Sequence, residues 1–183
     1  VMAHLEYLAQ VQWPELDVHM LSVSEDWAGI AVAGPNSRAL LSRLFQDVNF
    51  SNDDFPFMGY RATSADGVPA RLFRLSFSGE HAYELNVPAD YGLNFWTALL
   101  DIGGDLDVIP YGTEAMNILR IEKGHVTGAE LNGRVTADDL GFAGMMSKQK
   151  PFVGQVLARR EALIATDRRH LVGLVPADGK SPI

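Results

Sequence analysis

The sequence contains no cysteine, which removes disulfides, thiolate zinc sites, iron–sulfur ligation and thiol nucleophiles together. That fits a reducing compartment, and the expected location is cytoplasmic. No apolar run approaches the roughly 18 residues of a membrane span. The first residues also lack the charged and apolar stretches of a secretory leader. Positive charge is in deficit: 23 acidic residues face 15 Lys and Arg, for a net charge of −8. An acidic chain without a basic cluster fits neither nucleic acid nor anionic lipid, so neither nucleic acid nor a membrane is an expected partner. GxGxxG, P-loop and GxSxG runs are all missing, which speaks against a Rossmann crevice and a nucleophile elbow. The five histidines, His4, His19, His81, His125 and His170, show no HxxxH spacing, and no metal site is expected.

What is present is a folded composition. Apolar residues make up 47% of 183, enough for one domain, or one domain with a fragment of another. Val1, Leu5, Leu8 and Val11 recur at helical spacing. Strands are expected at 18–23, 27–33, 60–63 and 70–78. Helices are expected at 36–45, with Leu40, Leu41 and Leu44 inward, and at 91–100, with Leu93, Trp96, Leu99 and Leu100 on one face. A third is expected at 114–123, capped by Thr113 and stopped by Gly124, and a last one at 152–163. Asp66-Gly67 signals a hairpin turn. Strands and helices mix without βαβ alternation, so the fold class is α+β. The chain starts on Val with no N-cap before its helical face, and it ends on a strand at Leu171 and an Asp178-Gly179 turn with nothing to pair. Both ends are expected of a piece of a longer polypeptide.

The clearest local pattern lies at 71–87. Phe73, Leu75 and Phe77 alternate with Arg74, Ser76 and Ser78; after Gly79-Glu80, His81, Tyr83, Leu85 and Val87 alternate with Ala82, Glu84 and Asn86. A hairpin with an odd loop centred on Glu80 sets Phe77 near Tyr83 and Leu75 near Leu85. The opposite face then gathers Arg74, Ser76, Ser78, Glu84 and Asn86. That face is either the solvated side of a half-buried sheet or a site in which a carboxylate accepts two N–H groups from a fused 2-amino-4-oxo pyrimidine. Periodicity does not choose between them.

In the second dense segment, 110–125, Thr113, Asn117 and Arg120 share a helix face. Arg120 sits among apolar residues, where an arginine either pairs with a carboxylate for structure or contacts a ligand.

Five ordered runs carry a resemblance. They are Gly34-Pro35-Asn36-Ser37-Arg38; Ser76-Phe77-Ser78-Gly79-Glu80 leading to Tyr83-Glu84; Pro110-Tyr111-Gly112-Thr113-Glu114-Ala115; Leu119-Arg120-Ile121-Glu122-Lys123-Gly124-His125; and Thr136-Ala137-Asp138-Asp139-Leu140-Gly141. Together they resemble the folate-binding region of heterotetrameric sarcosine oxidase alpha subunits, within the wider aminomethyltransferase (glycine cleavage T-protein) family. The resemblance covers nearly the whole chain. It implies an aminomethyltransferase-like fold of mixed or antiparallel sheets with flanking helices. Residues 1–147 would be part of the folate-binding domain, and 148–183 a linker helix and the start of a C-terminal barrel. It also implies tetrahydrofolate as acceptor of the one-carbon unit from oxidative demethylation of sarcosine. FAD or FMN and NAD would belong only to the complete parent enzyme, whose other subunits would be partners; self-association of the piece through apolar surface is expected as well. Motif for motif, the pteridine-binding Glu falls on Glu84, with Glu80 as the fallback. Tyr83, Arg74 and Arg120 complete the implied folate-binding set. Arg71, Arg74, Arg120 and Lys123 are the basic residues available to a glutamate tail.

Two departures stand out. The T-proteins carry an Arg where this chain has Met116, so no Arg contact is carried onto that position. The family's catalytic polar residue falls before residue 1, so the catalytic residue is unknown. Two alternatives remain on the same fold. A glycine cleavage aminomethyltransferase is disfavoured because Ser-Phe-Ser-Gly-Glu-His-Ala-Tyr replaces the usual Thr-Gly-Tyr-Thr-Gly-Glu-Asp-Gly. A non-enzymatic folate-binding regulatory protein is disfavoured because its usual Cys run reads Lys150-Pro151-Phe152-Val153-Gly154-Gln155 here.

Overall fold

A computed structural model describes residues 1–179. The chain divides into two compact units, Val1–Gly112 and Thr113–Ile183. Among the described residues no helix is long and apolar enough to cross a membrane.

The first unit begins with helix α1 (Met2–Tyr7) and a π-helical turn, Leu8–Gln12, as the opening periodicity predicts. Residues 18–23 form no strand, a correction to expectation: Val18, Leu21 and Val23 are exposed, with no neighbouring ladder to satisfy their backbone. Strand β1 (Trp27–Ala33) leads through Gly34-Pro35-Asn36 into α2 (Ser37–Leu44). Strands β2 (Tyr60–Ala65) and β3 (Val68–Phe73) form a hairpin about Asp66-Gly67, both at positive φ (50° and 78°). That is the pair of left-handed conformations a two-residue turn with the sheet's own twist requires. Strand β4 (Ala82–Pro88) precedes α3 (Gly92–Ile102).

The sheet is antiparallel throughout, in the order β1-β4-β3-β2. Its inner face carries Val32, Ala65, Ala70, Leu72, Tyr83, Leu85 and Val87, packed with Leu40, Leu41 and Phe45 of α2 and Phe95 and Leu99 of α3. Each such buried Leu or Phe contributes about 1.5–3 kcal/mol by leaving water. One inward face departs from expectation, that of α3, whereas the expected α2 face, Leu40, Leu41 and Leu44, is the one that packs on the core. In α3 the buried residues are Phe95 and Leu99, whereas Leu93 is 76% exposed and Trp96 is 41% exposed. The helix is rotated because it starts at Gly92, where an added Cβ would lie 2.6 Å from Ala28 Cβ; that close approach of α3 to β1 fixes its face. In α2, Leu40 and Leu41 are buried and Leu44 is partly so. Arg43 of α2 holds the loop after α3, donating to Ile102 O at 2.6 Å and to Asp105 Oδ2 at 2.8 Å.

The second unit contains α4 (Thr113–Lys123), ended by Gly124 at φ +82° as the sequence predicts. Beyond it, turns replace regular elements. The helix expected at 152–163 is two short 3-10 turns, Leu157–Arg159 and Glu161–Leu163. The strand expected at Leu171 does not form; the chain there has no regular structure, with Leu171 N–H donating to Asp139 O at 2.7 Å. The turn at Asp178-Gly179 is present, closed by Gly179 N–H to Pro176 O at 2.9 Å. Residues 180–183, which end the expected 148–183 segment, lie outside the described residues. The α+β class is what forms.

Candidate functional site

The ladder between β3 and β4 corrects the expected hairpin. Leu72 pairs with Leu85, Arg71 with Asn86 and Phe73 with Glu84, not Leu75 with Leu85. The buried row of β3 is therefore the even one, Ala70 and Leu72, although β4 buries its odd row as expected. The cause is that β3 leaves β4 after Phe73. Arg74 N–H donates to Gly59 O, and Met58 N–H donates to Arg74 O, both at 2.9 Å, which draws the chain towards the segment before β2. At the other end, His81 O accepts from Gly34 N–H at 2.9 Å and from Ser37 Oγ at 2.8 Å, fastening the start of β4 to the β1–α2 turn.

Directly paired residues project to one face. One outer row thus runs Ala31, Glu84, Phe73, Tyr60, and the next runs Gly29, Asn86, Arg71, Ala62. Glu84 is exposed and has no hydrogen-bond or ion-pair partner among the described residues. Its neighbours on β1 are small: Ala31 stands directly opposite, and Gly29, one row along, lies under Asn86 Oδ1. On the other side of Glu84, Tyr60 and Phe73 pack ring to ring, centroids 5.0 Å apart and tilted 41°. Arg71, one row along, holds its guanidinium 3.7 Å from the Trp27 ring centroid. The result is an open platform: a free carboxylate with its acceptor oxygens uncommitted, an amide at Asn86, a pair of aromatic rings, and a cation resting on a third.

Within the first unit, the remaining implied residues do not join Glu84. Tyr83 is fully buried on the inner face, among Phe50 and Phe55, with its hydroxyl 3.1 Å from His81 Nε2. A ligand on the Glu84 face does not touch it. Arg74 lies beyond the strand, donating from Nη1 to Phe55 O at 2.8 Å, and is not on the polar face where alternation places it. Ser76 and Ser78 leave that face for the same reason; Ser78 is buried, and Ser76 Oγ is buried without a partner. Glu80 is exposed in the loop. Arg120 belongs to the second unit, where it is 8% exposed; its Nη1 donates to Glu130 Oε2 at 3.0 Å and to His125 O at 3.1 Å. Glu130 also accepts from Thr127 N–H at 2.7 Å. That backbone bond first, and Arg120 second, hold its carboxyl at a pKa of about 2. This is the structural pairing that the sequence left open for Arg120.

Sequence reasoning missed Trp27, Tyr60 and Phe73 as members of the Glu84 face. A signal for part of it exists in 27–33, where the small residues Gly29, Ala31 and Ala33 alternate with Ala28, Ile30 and Val32.

Comparison with known proteins gives the following. Residues 1–150 match the GCVT N-terminal domain. The chain is 50% identical over 181 residues to the sarcosine oxidase subunit alpha of Rhizobium meliloti (strain 1021), covering 97% of this chain and 18% of that protein. It is 43% identical over 180 residues to the sarcosine oxidase subunit alpha of Corynebacterium sp. (strain U-96), covering 97% and 19%. It is 32% identical over 177 residues to the aminomethyltransferase of Geobacillus kaustophilus (strain HTA426), covering 92% and 46%. The chain therefore spans about a fifth of the length of the sarcosine oxidase subunits it matches.

Proposed function

We propose that this chain, which belongs to the GCVT N-terminal domain family, holds tetrahydrofolate as part of a sarcosine oxidase alpha subunit. The 50% and 43% identities to two such subunits, each across 97% of the chain, support that parent. In this reading 1–147 contribute to the folate-binding domain and 148–183 lead into a further one. Other oxidase subunits supply the amine-oxidising flavin, and the location is cytoplasmic. When bound, tetrahydrofolate supplies the acceptor for the one-carbon unit released as sarcosine is demethylated to glycine, giving 5,10-methylenetetrahydrofolate.

The observation that carries the folate reading is the uncommitted Glu84 carboxylate on the open face of the sheet. A carboxylate with both oxygens free matches the adjacent N–H donors of a 2-amino-4-oxo pyrimidine ring. Ala31, directly opposite on β1, is a small neighbour for a flat ring beside Glu84, and the Phe73–Tyr60 pair offers an apolar wall. Glu84 would orient the ring. Asn86, with donor and acceptor atoms one row away, would hold a second polar edge.

Calorimetric titration with 5-formyltetrahydrofolate, a stable reduced folate, tests this on the unaltered chain and on Glu84→Gln. Saturable binding is expected, weakened in the variant by about 10- to 150-fold, as loss of a hydrogen bond to a charged group predicts. Equal affinity in the two proteins overturns Glu84 as the anchor. Absence of binding to either overturns folate binding by this chain.

A further inference from the structure

Away from the Glu84 face, a cleft of about 330 Å³ opens between the β1–α2 turn, the loop at 51–55 and the start of β4. It is lined by Pro35, Arg38, Asn52, Arg74 and His81. Two guanidiniums and an imidazole thus converge, and no carboxylate lines the cleft among the described residues, in a chain whose net charge is −8. Asp54, on the facing loop, is already engaged: its Oδ2 accepts from Ser51 Oγ at 2.9 Å and from Asn49. Arg38 uses Nη2 on Asn52 Oδ1 at 2.6 Å, but its Nε is buried with no partner. Arg74 Nη2 is 3.5 Å from His81 Nδ1, so two groups that are both cationic when His81 is protonated stand side by side. The surroundings already show the field: burial first, then Arg74 and Arg38, push the His81 pKa below its ordinary value.

From this cleft we infer a binding site for a small oxyanion, a phosphate or carboxylate group seated between Arg38 and Arg74 against His81. Guanidinium forks match the oxygens of either group in bidentate fashion. Asn52 is held by Arg38 through its carbonyl oxygen, which leaves its amide N–H groups as further donors. The site is independent of the folate reading. His81 reaches the hydroxyl of Tyr83 on the inner face, whereas Glu84 projects from the outer one.

The test follows the His81 imidazole resonance by NMR while inorganic phosphate, and in a separate series glutarate, is added at constant ionic strength with chloride as balance. A saturable shift with phosphate alone assigns the ligand as a phosphate, with glutarate alone as a carboxylate, and with both as an oxyanion of either kind. No saturable shift with either overturns the proposal. Arg38→Gln is expected to weaken the titration by about 10- to 150-fold, the range for a charged hydrogen bond; unchanged affinity also overturns it. Asn52→Asp serves as a second variant, because it sets a carboxylate against Arg38 within the cleft and is expected to abolish the phosphate shift. A shift that survives both substitutions places the anion elsewhere.

Discussion

Glu84 lies directly across the ladder from Phe73, and Phe73 in turn packs on Tyr60 with ring centroids 5.0 Å apart. The carboxylate therefore stands against an aromatic wall, on a face the core does not use. If a planar ligand occupies that face, the wall contributes through ring contact. Phe73→Leu keeps an apolar side chain but removes the ring, and about 2- to 12-fold weaker binding of a reduced folate is expected. Titration of the variant at matched folded fraction checks this, and an unaltered affinity would show that the ligand does not lie over Phe73.

Tyr83 makes the opposite prediction. Its ring is fully buried between Phe50 and Phe55, and its hydroxyl meets His81 Nε2 at 3.1 Å. Tyr83→Phe removes one buried hydrogen bond and is expected to lower stability by about 0.5–1.5 kcal/mol. Folate affinity should not change, because the side chain is on the other side of the sheet. Urea unfolding and calorimetry on the same preparation separate the two effects.

The positions where sequence and structure part company share a physical cause. Tyr83, Leu85 and Val87 bury as alternation predicts, and Glu84 faces outward, because β4 is paired with β1 along its whole length and with β3 at 84–86, which fixes its pleat. The pattern in 73–78 misleads because that stretch leaves the ladder after Phe73, and alternation has meaning only while strands remain paired. Leu75 and Phe77 look like a continuing apolar row, yet the backbone of Arg74 is bonded to Met58 and Gly59 instead. The Asp66-Gly67 turn and the Gly124 stop are legible because each depends on local backbone conformation alone. The cleft at Arg38, Asn52, Arg74 and His81 is illegible, since its residues come from four separated segments that only tertiary packing brings together.

In the second unit, stability should depend on acid through Glu130. Its pKa is held at about 2 against an ordinary 4.5, by the Thr127 backbone N–H and then by Arg120. A folded-state value below the unfolded one means that the contribution is fully present above about 4.5 and is lost as pH falls towards 2. Glu130→Gln should therefore be less stable than the unaltered chain at pH 7, and the gap should close as the pH is lowered through that window. Urea midpoints across pH measure it, and a gap that is constant with pH would rule out the charged pairing.

The same unit has few regular elements after α4, so individual side-chain bonds hold its turns. Asp139 is 3% exposed and accepts from Arg168 Nε at 2.8 Å, from Arg168 Nη2 and from Thr136 N–H at 2.7 Å. These bonds, Arg168 first, keep its carboxyl far below the usual carboxylate range. Arg168 also donates to Arg134 O at 3.0 Å and to Ala162 O at 3.2 Å, so one guanidinium gathers three separate stretches of chain. Arg168→Lys keeps the charge but loses the planar fork that makes four contacts at once. It should destabilise this unit markedly, whereas Arg160→Lys, at an exposed position with no such network, should not. Hydrogen exchange at the Thr136 and Leu171 amides reads the difference, because Thr136 N–H bonds to the Asp139 carboxylate and Leu171 N–H to the Asp139 carbonyl. Faster exchange at both in Arg168→Lys, with neither altered in Arg160→Lys, is the expected result; equal protection in the two variants would mean that packing, not this guanidinium, holds the segment.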